Sequence, residues 1–333
     1  MSVLMAVHSS NGYLSSALQS IRRQSLRDLE LIIINDSSNH DDEATARIAA
    51  DIDLRIRLIN NSRNLGLAAS LNKGLNYATS DLIVRMDADD LSLPCRVEIL
   101  YRFMKSNPEV GVCGSWVSHI DQHNKILSVW QTPRTHSDII DQLNFTCPIA
   151  HPSVIVRREL LEEVGGYDET FRYAQDLDLW LRLADHGARF SNYPQSLYLL
   201  RQHPFRVSNR SGESQINYAL AARRSALSRR RQLVTASGQK PVILGEANLA
   251  AGIDPVTRIL LSCTDVARWS VGDCVSSETS QLTTRFTRFR AGMTCRIILR
   301  CLILRNYSSA LRHLRRIVHT AYKALYSKII IQG

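Results

Sequence analysis

Asp87, Asp89 and Asp90 fall within four residues of one another in the stretch DLIVRMDADDLSLP, residues 81–94, straight after Leu82, Ile83, Val84, Arg85 and Met86. The run before them reads as a short buried strand, so three carboxylates crowd the point where that strand ends. Like charges this close are unfavourable unless something positive sits among them. An oxygen-rich cluster suits Mg²⁺ or Mn²⁺, and such an ion can hold a diphosphate. A solvated acidic turn is the plain alternative for the same residues.

Other positions could also do chemistry. Asp176 opens the stretch Asp-Leu-Asp-Leu-Trp-Leu-Arg, where Leu177, Trp180, Leu181 and Ala184 share a helical face and Asp178 points elsewhere. An acid at a helix start serves as a cap or dipole partner, or as a general base where a proton must be removed. Asp36, in Asn35-Asp36-Ser37-Ser38, follows another apolar run. Asp36 could hydrogen-bond a nucleotide base or ribose there, or it could cap the next helix together with Ser38. His203 reads as a metal ligand, a phosphate contact or an ordinary surface histidine.

These residues need elements to hold them. Val3 to Val7 forms an apolar run that ends in the turn-forming His8-Ser9-Ser10-Asn11-Gly12. Leu14, Leu18 and Ile21 then recur at helical spacing, and Leu29 to Ile34 is a second buried strand, so the first 35 residues or so make a βαβ unit. The alternation continues with a helix from Asp42 to Ala50, a strand from Arg55 to Ile59, a helix from Ala69 to Tyr77 and an amphipathic helix from Arg96 to Lys105. A further buried strand spans Val110 to Gly114; from there to Trp130 and Pro133 the periodicity is irregular. The chain contains no G-x-G-x-x-G, which removes the usual sequence support for a dinucleotide-dependent dehydrogenase.

Composition narrows the class. A chain of 333 residues that is 44% hydrophobic and 22% charged can bury a real core. Seven scattered cysteines without a C-x-x-C argue against a disulfide framework or a zinc site and for a reducing compartment. No apolar run of about 18 residues occurs, and the start lacks the features of a signal peptide, so the expectation is a cytoplasmic protein. The net charge of +10 is uneven: residues 1–208 carry 21 Lys+Arg against 25 Asp+Glu, and residues 209–333 carry 20 against 6.

The order of these pieces resembles the family 2 inverting nucleotide-sugar glycosyltransferases. The resemblance is carried by Val7 with its following loop, Ile33 to Ser38, Asn64-Leu65-Gly66, Arg85 to Asp90, His151-Pro152, Gly165-Gly166-Tyr167, Gln175 to Arg182, and Arg201 with His203, and it covers residues 1–208. It implies an α/β, GT-A type αβα sandwich with a mixed, mainly parallel sheet, followed by a helical C-terminal region. Carried over by position, it makes Asp176 the catalytic base and Asp36 the base-binding aspartate. Val7, Asn64, Asp87 and Arg201 fall in the nucleotide-sugar site, and Asp89, Asp87 and His203 become the Mg²⁺ or Mn²⁺ ligands. The donor is then a UDP-sugar and the acceptor a lipid-linked saccharide of a cell-surface polysaccharide. His8, Ser37 and Gln175 stand where the family usually has Pro, Gly and Glu. A metal-dependent nucleotidyltransferase and a non-catalytic sugar- or membrane-binding relative are the competing readings.

Outside the resemblance, the stretches 213–231, 255–269, 291–305 and 308–326 read as helices of a basic C-terminal region. In the last, Leu311, Leu314, Val318, Tyr322 and Leu325 line one face, with Arg312, Arg315, Arg316, His319 and Lys323 largely on the other. Such a helix reads as bound to an anionic membrane surface, which makes the protein peripheral at the inner face of the membrane, or as part of a small bundle packed on the catalytic domain. No nucleic-acid-binding motif is present.

Overall fold

The structure is a computed structural model, and it describes residues 1–144, 146–204 and 212–237. The expected helices at 255–269, 291–305 and 308–326, with their proposed membrane face, lie outside the described residues.

The alternation read from the sequence is present. Strands β1 (Ser2–Val7), β2 (Glu30–Asn35), β3 (Ile56–Asn60) and β4 (Leu82–Asp87) lie in the order β3-β2-β1-β4, all parallel, joined by helices α1 (Leu14–Arg22), α2 (His40–Ile52) and α3 (Leu67–Leu75). Both faces of β1, β2 and β4 are covered, which is why they read as mainly apolar runs, whereas β3 at the edge is partly exposed. Val3, Met5, Val7, Leu31, Ile33, Val84 and Met86 point into one core, with Leu14, Leu18 and Ile21 of α1 and Ala46 and Ala49 of α2. Leu4 and Ile34 point the other way, toward α3. There a Cβ on Gly74 would stand 2.6 Å from Ile34 Cδ1, so the bare backbone lets α3 lie close to the sheet.

The other half of the sheet mixes directions. Beyond β4 come β8 (Ile155–Arg157), β6 (Val110–Ile120), β9 (Arg189–Arg201) and the short β5 (Leu91–Ser92), with β7 (Ile126–Trp130) pairing only β6. β4–β8, β8–β6, β9–β5 and β6–β7 are antiparallel and β6–β9 is parallel, so the sheet is mixed and most of its paired length is parallel. Sequence periodicity finds only the first part of β6, and it misses β7, β9 and helix α5 (His136–Leu143). The residues 115–130 look irregular because β6 shifts register twice against β9 between Ser115 and Val117, while its far end turns into an exposed hairpin strand, so no single face stays buried.

The remaining helices are α4 (Arg96–Ser106), α6 (Arg158–Glu163), α7 (Gln175–Asp185) and α8 (Gly212–Ser237), with a 3₁₀ turn at His151–Ser153. α7 is buried on more than one face: Leu179 and Leu183 are enclosed along with Leu177, Trp180, Leu181 and Ala184. Asp178 therefore does not point to solvent. It is buried, and its Oδ2 accepts from Arg182 Nε at 2.7 Å. α8 packs on α7, where Arg229 and Arg230 both pair with Asp185. The compact unit that holds the sheet takes in α8.

Candidate active site

The parallel strands β1, β2 and β4 all deliver their carboxyl ends to the same edge of the sheet, where open α/β sheets bind ligands. At the end of β4, one carboxylate oxygen each from Asp87, Asp89 and Asp90 lies within 4.8 Å of the other two. Each acid has its own partner, from β4 or from the end of β9 and the residues just after it. Arg85 Nη2 is 2.5 Å from Asp87 Oδ1, and Tyr198 Oη accepts the Asp87 N–H at 3.0 Å. His203 Nε2 is 2.8 Å from Asp89 Oδ2. The buried Asp90 accepts the Arg201 N–H at 2.7 Å.

Arg201 does more than point at the cluster. Its guanidinium is buried, donates to the carbonyl oxygens of Asp89 (2.9 Å), Asp121 (3.1 Å) and Gln122 (3.4 Å), and lies 4.2 Å from the ring centre of Tyr13. β9 thus ends in a clamp that ties the acidic turn to the β6–β7 hairpin. Hard carboxylate oxygens gathered from three residues fit a divalent cation such as Mg²⁺ or Mn²⁺.

At the end of β2 the arrangement differs. Asp36 is buried, and both its oxygens receive donors from the chain: Asn61 Nδ2 (2.8 Å) and the Leu65 N–H (2.7 Å) on Oδ1, and the Gly66 N–H (2.9 Å) on Oδ2. The cap of α2 is Asn39, whose side chain accepts the Asp42 N–H, so neither Asp36 nor Ser38 caps that helix. Asp36 instead shapes the loop before α3, and Gly66 closes that loop at a φ of 88°, a conformation that suits glycine. Val7 is buried in the core and its carbonyl accepts the Asp36 N–H at 2.7 Å. The exposed Asn64 places its Nδ2 3.0 Å from His8 Nε2, and His8 Nδ1 lies 3.0 Å from the Asp36 carbonyl. His8 thereby bridges the strand ends to the loop, a contact that a proline could not make.

Asp176 occupies the second position of α7. The residue that begins the helix is Ala174, in a left-handed conformation with no side-chain cap. Asp176 Oδ1 accepts the Leu177 N–H at 2.8 Å, and Oδ2 lies 3.6 Å from Cys147 Sγ. Burial pushes the Asp176 carboxyl above the usual carboxylate range, opposed by those two donors and by the charge of Arg85. Below it, His151 Nε2 and Tyr167 Oη share a hydrogen bond of 2.7 Å, and His151 also meets the Trp180 ring edge-on. Burial holds His151 well below its ordinary value and pushes the Tyr167 phenol up, so both are neutral near pH 7. Cys113, whose buried thiol is pushed up to about 12, is inert.

Sequence spacing does not reveal Arg96 or Tyr198. Arg96 is buried, donates to the carbonyls of Arg85 (2.8 Å) and Pro152 (2.9 Å), and lies 4.7 Å from the Tyr198 ring centre. Tyr198 belongs to the strand that periodicity misses. A signal did exist for Arg85, an arginine among the apolar residues at 82–86.

Residues 2–165 match the model of glycosyl transferase family 2. The chain is 31% identical over 227 residues to an Escherichia coli protein named UDP-Gal:alpha-D-GlcNAc-diphosphoundecaprenol beta-1,3-galactosyltransferase, covering 66% of this chain and 79% of the relative. It is 31% identical over 200 residues to the amylovoran biosynthesis glycosyltransferase AmsE of Erwinia amylovora, covering 60% and 74%. Among solved structures, Staphylococcus aureus TarS 1–349 in complex with UDP-GlcNAc superposes with a TM-score of 0.55 at 16% identity, over 68% of this chain and 66% of that one; the match to a longer TarS structure spans 41% of that chain. The mannosyltransferase PcManGT of Pyrobaculum calidifontis, in complex with GDP-Man and Mn²⁺, gives 0.54 at 17% identity over 98% and 87%. These structural neighbours are GT-A glycosyltransferases, and their likeness bears on the fold alone.

Proposed function

The chain belongs to glycosyl transferase family 2, and from that premise we propose that it moves one sugar from a UDP-sugar to a hydroxyl of a lipid-linked or saccharide acceptor in cell-surface polysaccharide synthesis, inverting the anomeric centre. The observation that carries the reading is the cluster of Asp87, Asp89 and Asp90 at the carboxyl end of β4. Support for the donor and acceptor classes comes from the E. coli relative's name and from the UDP-GlcNAc held by TarS.

Displacing a nucleoside diphosphate from a sugar builds negative charge on the leaving group. A divalent cation held by Asp89 and Asp87, with Asp90 and His203 beside them, would supply the opposing charge. The remaining work falls to the chain. Asp36 holds the loop that carries Asn64 at the edge where the nucleotide would lie, while Val7 and Arg201 fix the strand ends around it. The acceptor hydroxyl must lose its proton as it attacks, and Asp176 is the carboxylate that would take it, since its raised pKa brings its basicity closer to working pH. The same reading makes residues 1–208 the catalytic domain and 209–333 a basic region. That region's 20 Lys+Arg against 6 Asp+Glu support contact with an anionic membrane surface at its cytoplasmic face.

A thermal-stability panel tests the reading against a nucleotidyltransferase and against a non-catalytic relative. UDP with Mn²⁺ should stabilise the protein, and UDP-sugars should be consumed only when the cation is present. A response confined to nucleoside triphosphates would sink the proposal.

A further inference from the structure

Aromatic rings from two elements meet just before α7. Tyr218 of α8 packs edge-to-face with Phe171, ring centres 6.0 Å apart, and with Tyr173, ring centres 5.6 Å apart. At the other end of α7, Arg229 and Arg230 meet Asp185, so α8 runs beside α7 in the same direction. A spacing of four puts Tyr218, Ala222, Ala226 and Arg230 in one stripe along α8. Ala222, Ala226 and Arg230 are buried, and this is the stripe that seats the helix.

Tyr218 continues that stripe but is only half-buried, and so is Tyr173, while Phe171 is buried. Seating α8 calls for apolar cover, which a leucine would supply without a hydroxyl to keep wet. Two phenol rings left partly in solvent suit instead a ligand that is apolar on one face and polar at its rim. A pyranose has that form: its C–H groups make an apolar face and its hydroxyls a wet edge. A lipid chain would desolvate the phenol hydroxyls and give them nothing in return.

The pair is also tied to Asp176 along the chain. Tyr173 stands three residues before Asp176, a separation that spans at most about 11 Å even when fully extended. Between them Ala174 holds a φ of 53°, a conformation that strains an alanine and that turns the chain from Tyr173 into α7. A saccharide whose hydroxyl meets Asp176 thus has its rings within reach of the two tyrosines.

We propose that Tyr173 and Tyr218 form a subsite for the acceptor saccharide, their rings stacking on the C–H face of a pyranose at or beside the sugar that reacts. This deepens the glycosyl-transfer reading and rests on Asp176 as the base.

The test is saturation-transfer NMR on the full chain with UDP and Mn²⁺ present, using the methyl glycosides of glucose, galactose and N-acetylglucosamine as probes. Stacking on a C–H face tolerates differences among such sugars, so the wild type should bind at least one of them, with the transfer strongest to ring C–H protons. Tyr218→Leu keeps an apolar contact for Phe171 and should weaken that binding by about tenfold, as should Tyr173→Leu, whereas Tyr218→Phe should stay within a few-fold of the wild type. UDP with Mn²⁺ should still stabilise each variant. A wild type that binds none of the glycosides overturns the proposal, and so do leucine variants that bind them undiminished. A signal from octyl phosphate with none from the glycosides would give the rings to a lipid and overturn it as well. Failure of both leucine variants to fold would assign the rings to seating α8 alone. Absence of UDP stabilisation in the wild type counts against the transferase reading instead, since glycoside binding is read separately.

Discussion

Asp36 at the end of β2 and Asp176 at the start of α7 look alike in the sequence, each an acid at an element boundary that reads as a helix cap or as a working carboxylate. In the structure they diverge. Asp36 receives three donors, two of them backbone N–H groups of a single loop, whereas Asp176 has one N–H and a distant thiol, with burial left to raise its pKa. On the proposed reading, the carboxylate better supplied with donors orders its own loop, and the buried one with fewer donors is the one left to take a proton.

The acidic cluster extends this contrast and carries the largest expected effect. Asp89→Ala should lose metal-dependent UDP binding altogether, a larger loss than the roughly 10–100-fold that even an outer partner of a metal ligand costs. Titration calorimetry with Mn²⁺ or with chelator checks it, and undiminished UDP affinity would remove the metal site. Asp36→Asn comes next. The amide turns an N–H₂ toward donors that the carboxylate accepted, which should cost roughly 1–3 kcal/mol in denaturant unfolding and weaken nucleotide binding through the loop at 61–66. Unchanged stability would break the comparison from the scaffold side.

The same substitution at Asp176 should act in the opposite direction. Its folded pKa lies above its unfolded one, so in the window between the two the folded state binds the proton more tightly, and stability falls as pH rises through that window. Asn does not ionise, so Asp176→Asn should melt higher than the wild type at neutral pH, with the gain fading as pH drops to the ordinary aspartate range. A lower melting temperature at neutral pH would mean that the carboxylate is structural after all. The smallest effect is expected from Gln175→Glu. A second carboxylate next to Asp176 should move the acid limb of turnover upward by less than about one pH unit, and an acid limb that stays put would place position 175 outside its field.

Much of this could be read from residues alone. The inner parallel strands β1, β2 and β4 announce themselves because burial on both faces makes them mainly apolar runs, and Asp36 and Asp87 stand where β2 and β4 stop. Of the half of the sheet built on β6 and β9, little beyond the start of β6 was legible. Its register shifts break the period-2 pattern, and β9 mixes core residues such as Leu197 and Tyr198 with the exposed Gln195. The clamp geometry of Arg201 and the bracing by Tyr198 follow from that strand, so the acids, Arg201 and His203 could be named from the sequence while Tyr198 and the contacts that hold the acids could not. The split between Asp36 and Asp176 depended on which backbone N–H groups come near each carboxylate, and that is a property of loop geometry rather than of spacing.

The most direct test of the contrast is turnover of Asp36→Asn and Asp176→Asn measured side by side, with donor, Mn²⁺ and acceptor saturating and the temperature below both melting points. Removal of a general base should lower the Asp176→Asn rate by about 10²–10⁴-fold, while Asp36→Asn, once saturated, stays within a few-fold of the wild type. Near-normal transfer by Asp176→Asn would contradict the account.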